Sequence, residues 1–190
     1  LPTAVMEQNT IPGITNRKLA RRARRVYVSF PESARYFPPE KVREFGNPVR
    51  EFIVKNLSDA AAEKTGTSEG AMRILVFGGS QGAHAINELF AAAAPELARR
   101  GVIVRHQTGT ADKSRVEEAY RTAGVNAQVD EFIHDMAQAY AQADAVVCRA
   151  GATTCAELAI AGKPAVFIPF PYAADNHQEH NARSLVERGA

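Results

Sequence analysis

Three short segments carry side chains whose types and spacing suit the handling of an anion and an attached sugar. The first, GGSQGA at 78–83, follows the apolar run ILVF and precedes a helix-like repeat. Glycines there let the backbone turn tightly and approach a ligand, and the helix after Gly82 would offer unpaired N–H groups to a phosphate. Ser80 adds a hydroxyl donor, and Asn87 lies about two helical turns further on. The glycine spacing is not the six-position fingerprint of dinucleotide folds, so alone it also fits an ordinary tight strand-to-helix turn. The second, CRAGATTCAEL from Cys148, turns at Gly151 and starts a helix at Thr153 and Thr154, with Glu157 in its first turn. Thr154 and Glu157 have capping-box spacing. A carboxylate beside a helix start also suits a ribose diol, with neighbouring amides on a diphosphate. The third, PFPYAADNHQEHNA, brings Asp175, Asn176, His177 and Gln178 to a helix start. Such groups donate or accept in fixed directions toward sugar hydroxyls, or simply solvate the helix end. A metal between His177 and His180 would need further ligands, which the sequence does not place nearby.

The elements that must position these segments alternate in type. The patterning predicts a strand at 1–6, a helix at 16–25 and a strand at VYVSF, then a proline-rich connector to about Asn47. Residues 56–71 are small and polar and read as an exposed segment. From Met72 the pattern predicts strands at 73–77, 102–106, 127–130, 145–148 and 164–168. Helices are predicted at 83–99, 112–123, 135–142, 153–161 and 176–188. Such alternation makes an α/β fold with a Rossmann-like parallel sheet covered on both faces, whose ligands collect at the strands' carboxyl ends. Each of the three segments falls at such an end.

A hydrophobic content of 45% over 190 residues is enough to bury a core, and no apolar run approaches the roughly 20 residues that span a bilayer. Cys148 and Cys155 lack the partners of a zinc site or disulfide framework and read as buried thiols in a reducing cytoplasm. A net charge of +2 conceals a basic run, NRKLARRARR, holding Arg17, Lys18, Arg21, Arg22, Arg24 and Arg25. The chain opens and closes in mid-pattern, so a fragment lacking both ends is expected.

In this order the segments resemble one family, the bacterial N-acetylglucosaminyltransferases of peptidoglycan synthesis in glycosyltransferase family 28. Matching pieces are EQN with PGITN, GNPVR, GGSQGAHAIN, HQTG, EFIHDMAQAYAQAD, CRAGATTCAEL, GKPAVFIPFPYAADNHQ and NA. The resemblance covers nearly the whole chain. It implies a GT-B fold, with 1–47 as the end of the acceptor-side domain plus connector and 48–190 as most of the UDP-GlcNAc domain. It also implies inverting transfer of GlcNAc from UDP-GlcNAc to undecaprenyl-diphospho-muramoyl-pentapeptide. By position, Asn9 and Arg50 belong to the donor site, Ser80 lies near the diphosphate and GlcNAc, and the backbone of Ile133 meets uracil. Ala152, Thr153, Thr154, Cys155, Ala156 and Glu157 surround diphosphate and ribose, and Gln178 meets the sugar. Glu7 is a candidate acid/base residue, or a carboxylate that caps or solvates its loop. The family's amino-terminal glycine-rich loops and the end of its carboxyl-terminal domain are missing from this chain.

No Asp-x-Asp triplet occurs, so no metal cofactor is expected, and helix starts, Ser80 and Arg50 must stabilise the leaving diphosphate. The basic run is either a solvated face or a contact with anionic lipids for an enzyme peripheral to the cytoplasmic face of the inner membrane. A UDP-GlcNAc 2-epimerase on the same fold is the alternative enzyme. Nucleic-acid binding is disfavoured, because the basic run has no interleaved aromatics.

Overall fold

Runs of four or five residues in which bulky aliphatics alternate or cluster form the strands of this computed structural model, which describes residues 1–63, 70–80 and 82–189. Two compact units are present, one built of 1–49, 150–159 and 169–190 and the other of 50–149 and 160–168.

In the first unit, β1 (Ala4–Glu7), α1 (Ile14–Ala20), β2 (Arg25–Val28) and β3 (Val42–Glu44) form a parallel sheet in the order β1-β2-β3. Val26 and Val28 point inward with no exposure and pack with Ala20 and Phe37. Each such burial is worth about 1.5–3 kcal/mol, which holds α1 on the sheet. The proline-rich connector holds only short elements, β3 and two 3-10 turns, Pro31–Tyr36 and Pro39–Lys41. Proline supplies their starts, since its fixed φ suits a first helical position and needs no N–H partner. The basic run is not one helix: α1 stops at Ala20, and Arg25 already lies on β2.

The second unit runs through α2 (Glu51–Glu63), β4 (Arg73–Phe77), α3 (His84–Ala92), α4 (Ala94–Arg99), β5 (Ile103–Gln107) and α5 (Lys113–Ala123). It continues with β6 (Asn126–Asp130), α6 (Met136–Gln142), β7 (Ala145–Cys148) and, beyond the start of α7 (Ala152–Ala161), β8 (Ala165–Phe167). The sheet is parallel throughout, in the order β6-β5-β4-β7-β8. On one face Ile86, Phe90, Val116 and Tyr120 of α3 and α5 meet Val76 and Val104 of the central strands. On the other, α6 lies on β4 and α2 on α6, with Ile53 and Tyr140 fully buried. The expected helix at 83–99 is two helices, because Pro95 in the first turn of α4 cannot donate to the ladder and the chain restarts at Ala93. The segment predicted as exposed from residue 56 is helical through Glu63; residues 64–69 lie outside the described residues. The chain closes with a 3-10 turn, Ala174–Asn176, and α8 (His177–Glu187), both in the first unit.

The strand register matters most for function. Phe77 pairs with both Gln107 and Cys148, Gln107 with Asp130, and Cys148 with Phe167, so all five strands end level. The loops that follow therefore leave one edge of the sheet side by side.

Candidate functional site

The loop after β4 is built so that only glycine serves at two of its positions. A Cβ on Gly78 would lie 2.1 Å from that of Ala83, and one on Gly82 would lie 1.9 Å from the Thr108 carbonyl oxygen. Gly82 also sits at φ 77° and Gly79 at φ 103°, where a side chain is strained. The turn closes through Gly82 N–H donating to the Gly79 carbonyl at 2.9 Å. Ser80 stands exposed at its tip. The following helix α3 has Ala83 at its N-cap and no side-chain cap, so no N-cap side chain takes up its first N–H groups. Exposed hydroxyl, close-packed glycines and uncapped helix start together make a cradle for a phosphate-sized anion.

Asn87 is drawn inward instead. It is 1% exposed, donates to the Thr108 carbonyl at 2.9 Å and to Asp112 Oδ2 at 2.8 Å, and its Oδ1 lies 3.1 Å from His106 Nε2. His106 is sealed between Asn87 and the Tyr120 hydroxyl, 2.8 Å from Nδ1. Burial lowers its pKa to about 4 and raises that of Tyr120. The neutral ring donates through Nε2 and accepts at Nδ1. Asp112 also holds His84 and Arg115, and its pKa is lowered by its hydrogen bonds to Asn87 and His84 despite an opposing desolvation. Asn87 thus braces the floor under Gly82.

Ile133 follows β6 with its side chain 2% exposed, and its N–H donates to Gln107 Oε1 at 2.8 Å. Arg50 precedes α2, stacks its guanidinium 5.0 Å above the Phe52 ring and caps the helix through its carbonyl, which accepts from Ile53 N–H.

In the other unit, Glu7 is 2% exposed, and its carboxylate accepts from Asn9 N–H, Asn9 Nδ2, Gly13 N–H and Asn16 Nδ2. Four donors around one enclosed carboxylate make it the organiser of the loop between β1 and α1. Asn9 is gripped from the other side as well, because Asn181 Nδ2 donates to its Oδ1 at 3.1 Å. Asn181, with no exposure, also donates to the Ala150 carbonyl and accepts from Thr10 N–H and the Thr10 hydroxyl. One amide on α8 thereby fixes Asn9 and the turn that opens α7.

That helix begins at Ala152, with Cys155 N–H donating to the Gly151 carbonyl at 2.9 Å. Thr154 is therefore inside the first turn and Glu157 in the second, so the two cannot form the capping box suggested by their spacing. Thr153 is exposed and Ala156 half-buried, while Ala152, Cys155 and Glu157 are buried. Burial pushes the Cys155 thiol up to about 12, so it carries no charge at neutral pH. Asn47 Nδ2 reaches the Thr153 hydroxyl at 3.4 Å, and its buried Oδ1 has no partner among the described residues. Gln178 Oε1 accepts from Phe170 N–H at 2.9 Å, and Asp175 and Asn176 before it occupy the left-handed region that Asp and Asn tolerate. His177 Nδ1 lies 2.9 Å from the Ala174 carbonyl. Among the described residues no cluster of His, Cys, Asp and Glu is arranged around a metal-sized space, and no helix is long and apolar enough to cross a membrane.

Sequence reasoning passed over Gln107 and Asn181. Their signal was present: each is a polar residue in an otherwise buried frame, at the tip of a strand and on the inner face of a helix.

Residues 73–190 match the glycosyltransferase family 28 C-terminal domain. A UDP-N-acetylglucosamine--N-acetylmuramyl-(pentapeptide) pyrophosphoryl-undecaprenol N-acetylglucosamine transferase of Anaeromyxobacter dehalogenans is 52% identical, over 100% of this chain and 49% of the relative. The protein of the same name from Nitratidesulfovibrio vulgaris strain DP4 is 50% identical, over 100% of this chain and 51% of its own length. The chain thus spans about half the length of these relatives. The crystal structure of Acinetobacter baumannii MurG superposes with TM-score 0.77 and 37% identity, covering 99% of this chain and 52% of that one. The glycotransferase of kitacinnamycin, at 20% identity and TM-score 0.61 over 94% of this chain and 44% of its own, shares the fold. A parallel α/β architecture of the GT-B kind and a domain match over most of its length show that this chain belongs to glycosyltransferase family 28.

Proposed function

We propose that the protein to which this chain belongs moves GlcNAc from UDP-GlcNAc to undecaprenyl-diphospho-muramoyl-pentapeptide with inversion, and that this chain supplies most of the donor site. The observation that carries the reading is the glycine loop at the end of β4, closed against Thr108 and Ala83 and running into an uncapped α3. A diphosphate seated there meets peptide N–H groups and the Ser80 hydroxyl. The Ile133 loop meets the uracil, and the start of α7, with Glu157, meets the ribose. Arg50, Asn9 and Gln178 complete the contacts to diphosphate and sugar.

In such a transfer the acceptor hydroxyl attacks the anomeric carbon as the bond to the diphosphate oxygen breaks, and a base removes the hydroxyl proton. Charge accumulates on the departing UDP, where the α3 N–H groups, Ser80 and Arg50 stabilise it. In this reading Glu7 positions Asn9 and the base is another group. No metal takes part; full-length activity unchanged by a chelator is the expected result, and loss restored by magnesium would refute it. The basic surface carries a companion proposal, peripheral contact with anionic lipid at the cytoplasmic face of the membrane. Its support is that Lys18, Arg21, Arg22 and Arg24 are exposed beside Ile14 at 69% and Leu19 at 53%.

The test is calorimetric titration of UDP-GlcNAc into the full-length protein and its Ser80→Ala and Glu157→Ala variants. Saturable binding, weakened in both variants without loss of fold, supports the site. No binding, or binding displaced by RNA and not by UDP, overturns it. Product analysis separates the transferase from an epimerase, which would alter GlcNAc without an acceptor.

A further inference from the structure

We infer that Gln107 is a positioning residue that locks the diphosphate loop and the uracil loop at one fixed separation, so that a single uridine diphosphate can satisfy both. The inference rests on the donor-site reading above and deepens it. Gln107 is the last residue of β5, the strand lying between β4, which feeds the glycine loop, and β6, which feeds the Ile133 loop. Its register partners are Phe77 and Asp130, the last residues of those two strands. From this central post its side chain, in a residue 3% exposed, reaches both ways: Nε2 donates to the Gly79 carbonyl at 2.7 Å and Oε1 accepts from Ile133 N–H at 2.8 Å.

The residue type is demanding. The bridge needs one donor and one acceptor on a planar group at the end of two methylenes, which glutamine supplies at any pH and glutamic acid only when protonated. Asparagine is a methylene short. Glutamate keeps the acceptor for Ile133 but presents a second oxygen to the Gly79 carbonyl, which repels it. Asn87 and Gly82 fix the far side of the same loop on Thr108, the next residue along. The strand tip at 107–108 therefore bonds the glycine loop at Gly79, the helix that follows it at Asn87 and the Ile133 loop at its N–H.

Because the two hydrogen bonds serve different loops, they separate in ligand binding. At a pH high enough to ionise the new carboxyl, full-length Gln107→Glu keeps the Ile133 bond and loses the Gly79 bond, whereas the protonated acid keeps both. Affinity for UDP should fall about tenfold, while affinity for uridine stays within about twofold. Gln107→Met removes both bonds and should weaken both ligands. A residue that merely stabilised the fold would lower the melting temperature and weaken uridine and UDP by the same factor. The measurement is the pair of dissociation constants for UDP and uridine in wild type and both variants, with melting temperatures alongside. An equal loss for both ligands in Gln107→Glu, or no loss for either, overturns the coupling. A wild-type protein that binds neither ligand overturns the donor-site reading itself, and this inference with it. If Gln107→Glu does not fold, Gln107→Met decides: unchanged UDP affinity there refutes the proposal.

Discussion

Replacing Asn181 by leucine keeps its bulk and deletes one amide that serves four partners. Thr10 N–H and the Thr10 hydroxyl each donate to Oδ1 at 3.0 Å, and Nδ2 donates to Asn9 Oδ1 and the Ala150 carbonyl at 3.1 Å. With Asn181 unexposed and Thr10 3% exposed, water cannot take over these roles. At about 1 kcal/mol net per hydrogen bond, less the gain from a more apolar side chain, the loss is about 3 kcal/mol. That is a large share of the 5–15 kcal/mol typical of a folded protein. For a protein of this size it corresponds to a melting temperature lower by about 6–12 °C. Asn9 loses its outer grip, so UDP-GlcNAc affinity should fall together with stability. Asn181→Asp keeps the bonds from Thr10 but turns an oxygen without exposure toward Asn9 Oδ1 and the Ala150 carbonyl; it should lose affinity with a loss of stability at least as large. The checks are a melting curve followed by circular dichroism and a calorimetric titration for each variant. A leucine variant that melts within about 2 °C of wild type would refute the hub argument.

Gly82→Ala must bring a Cβ to the Thr108 carbonyl at φ 77°, whereas Gly46→Ala at φ 74° meets nothing within 4 Å. Melting should show a loss of about 1–2 kcal/mol for Gly46→Ala and clearly more for Gly82→Ala, with UDP binding impaired only in the latter. His106, held neutral with its pKa lowered to about 4 by burial, binds a proton less readily folded than unfolded. Its stabilisation is complete above about pH 6.5 and is lost as pH falls toward 4, by up to about 3 kcal/mol; urea unfolding at stepped pH, with His106→Gln flattening the slope, checks this. Glutamine at Lys18, Arg21, Arg22 and Arg24 should reduce sedimentation with anionic vesicles by at least tenfold at low salt, at roughly 1 kcal/mol per charge near the surface. Salt-insensitive binding that survives the substitutions would remove the lipid reading.

The sheet was legible because its strands are short aliphatic runs, ILVF and AVVC among them, separated by helical periodicity and punctuated by glycine. The glycine loop was legible for the same reason, since glycine marks where a backbone must come close. Side-chain direction was not. Asn87 shares helix α3 with the loop that precedes it, yet its neighbour is buried His106, a pairing across 19 residues that no local pattern announces. Glu7 read as a possible acid or base because a lone carboxylate in a polar loop has that look. Its enclosure by Asn9, Gly13 and Asn16 depends on the loop closing back upon itself. The Thr154–Glu157 spacing misled because a capping box requires Thr154 to be the N-cap, and the helix had already begun at Ala152. Gln107 and Asn181 stood in the quoted pieces HQTG and NA, but their partners were not legible: each works by joining segments far apart in sequence, and neither segment names the other.

The walls that Ala83 and Thr108 raise around Gly78 and Gly82 bear on drug escape. An inhibitor that takes its hold from main-chain atoms of this turn would contact surfaces that the bacterium cannot remodel by single substitutions, because every larger residue there collides with the protein before it reaches the compound. The exposed tip at Ser80 is the part of the turn where a side chain can change without such a collision, and there the change would touch the hydroxyl assigned above to the diphosphate.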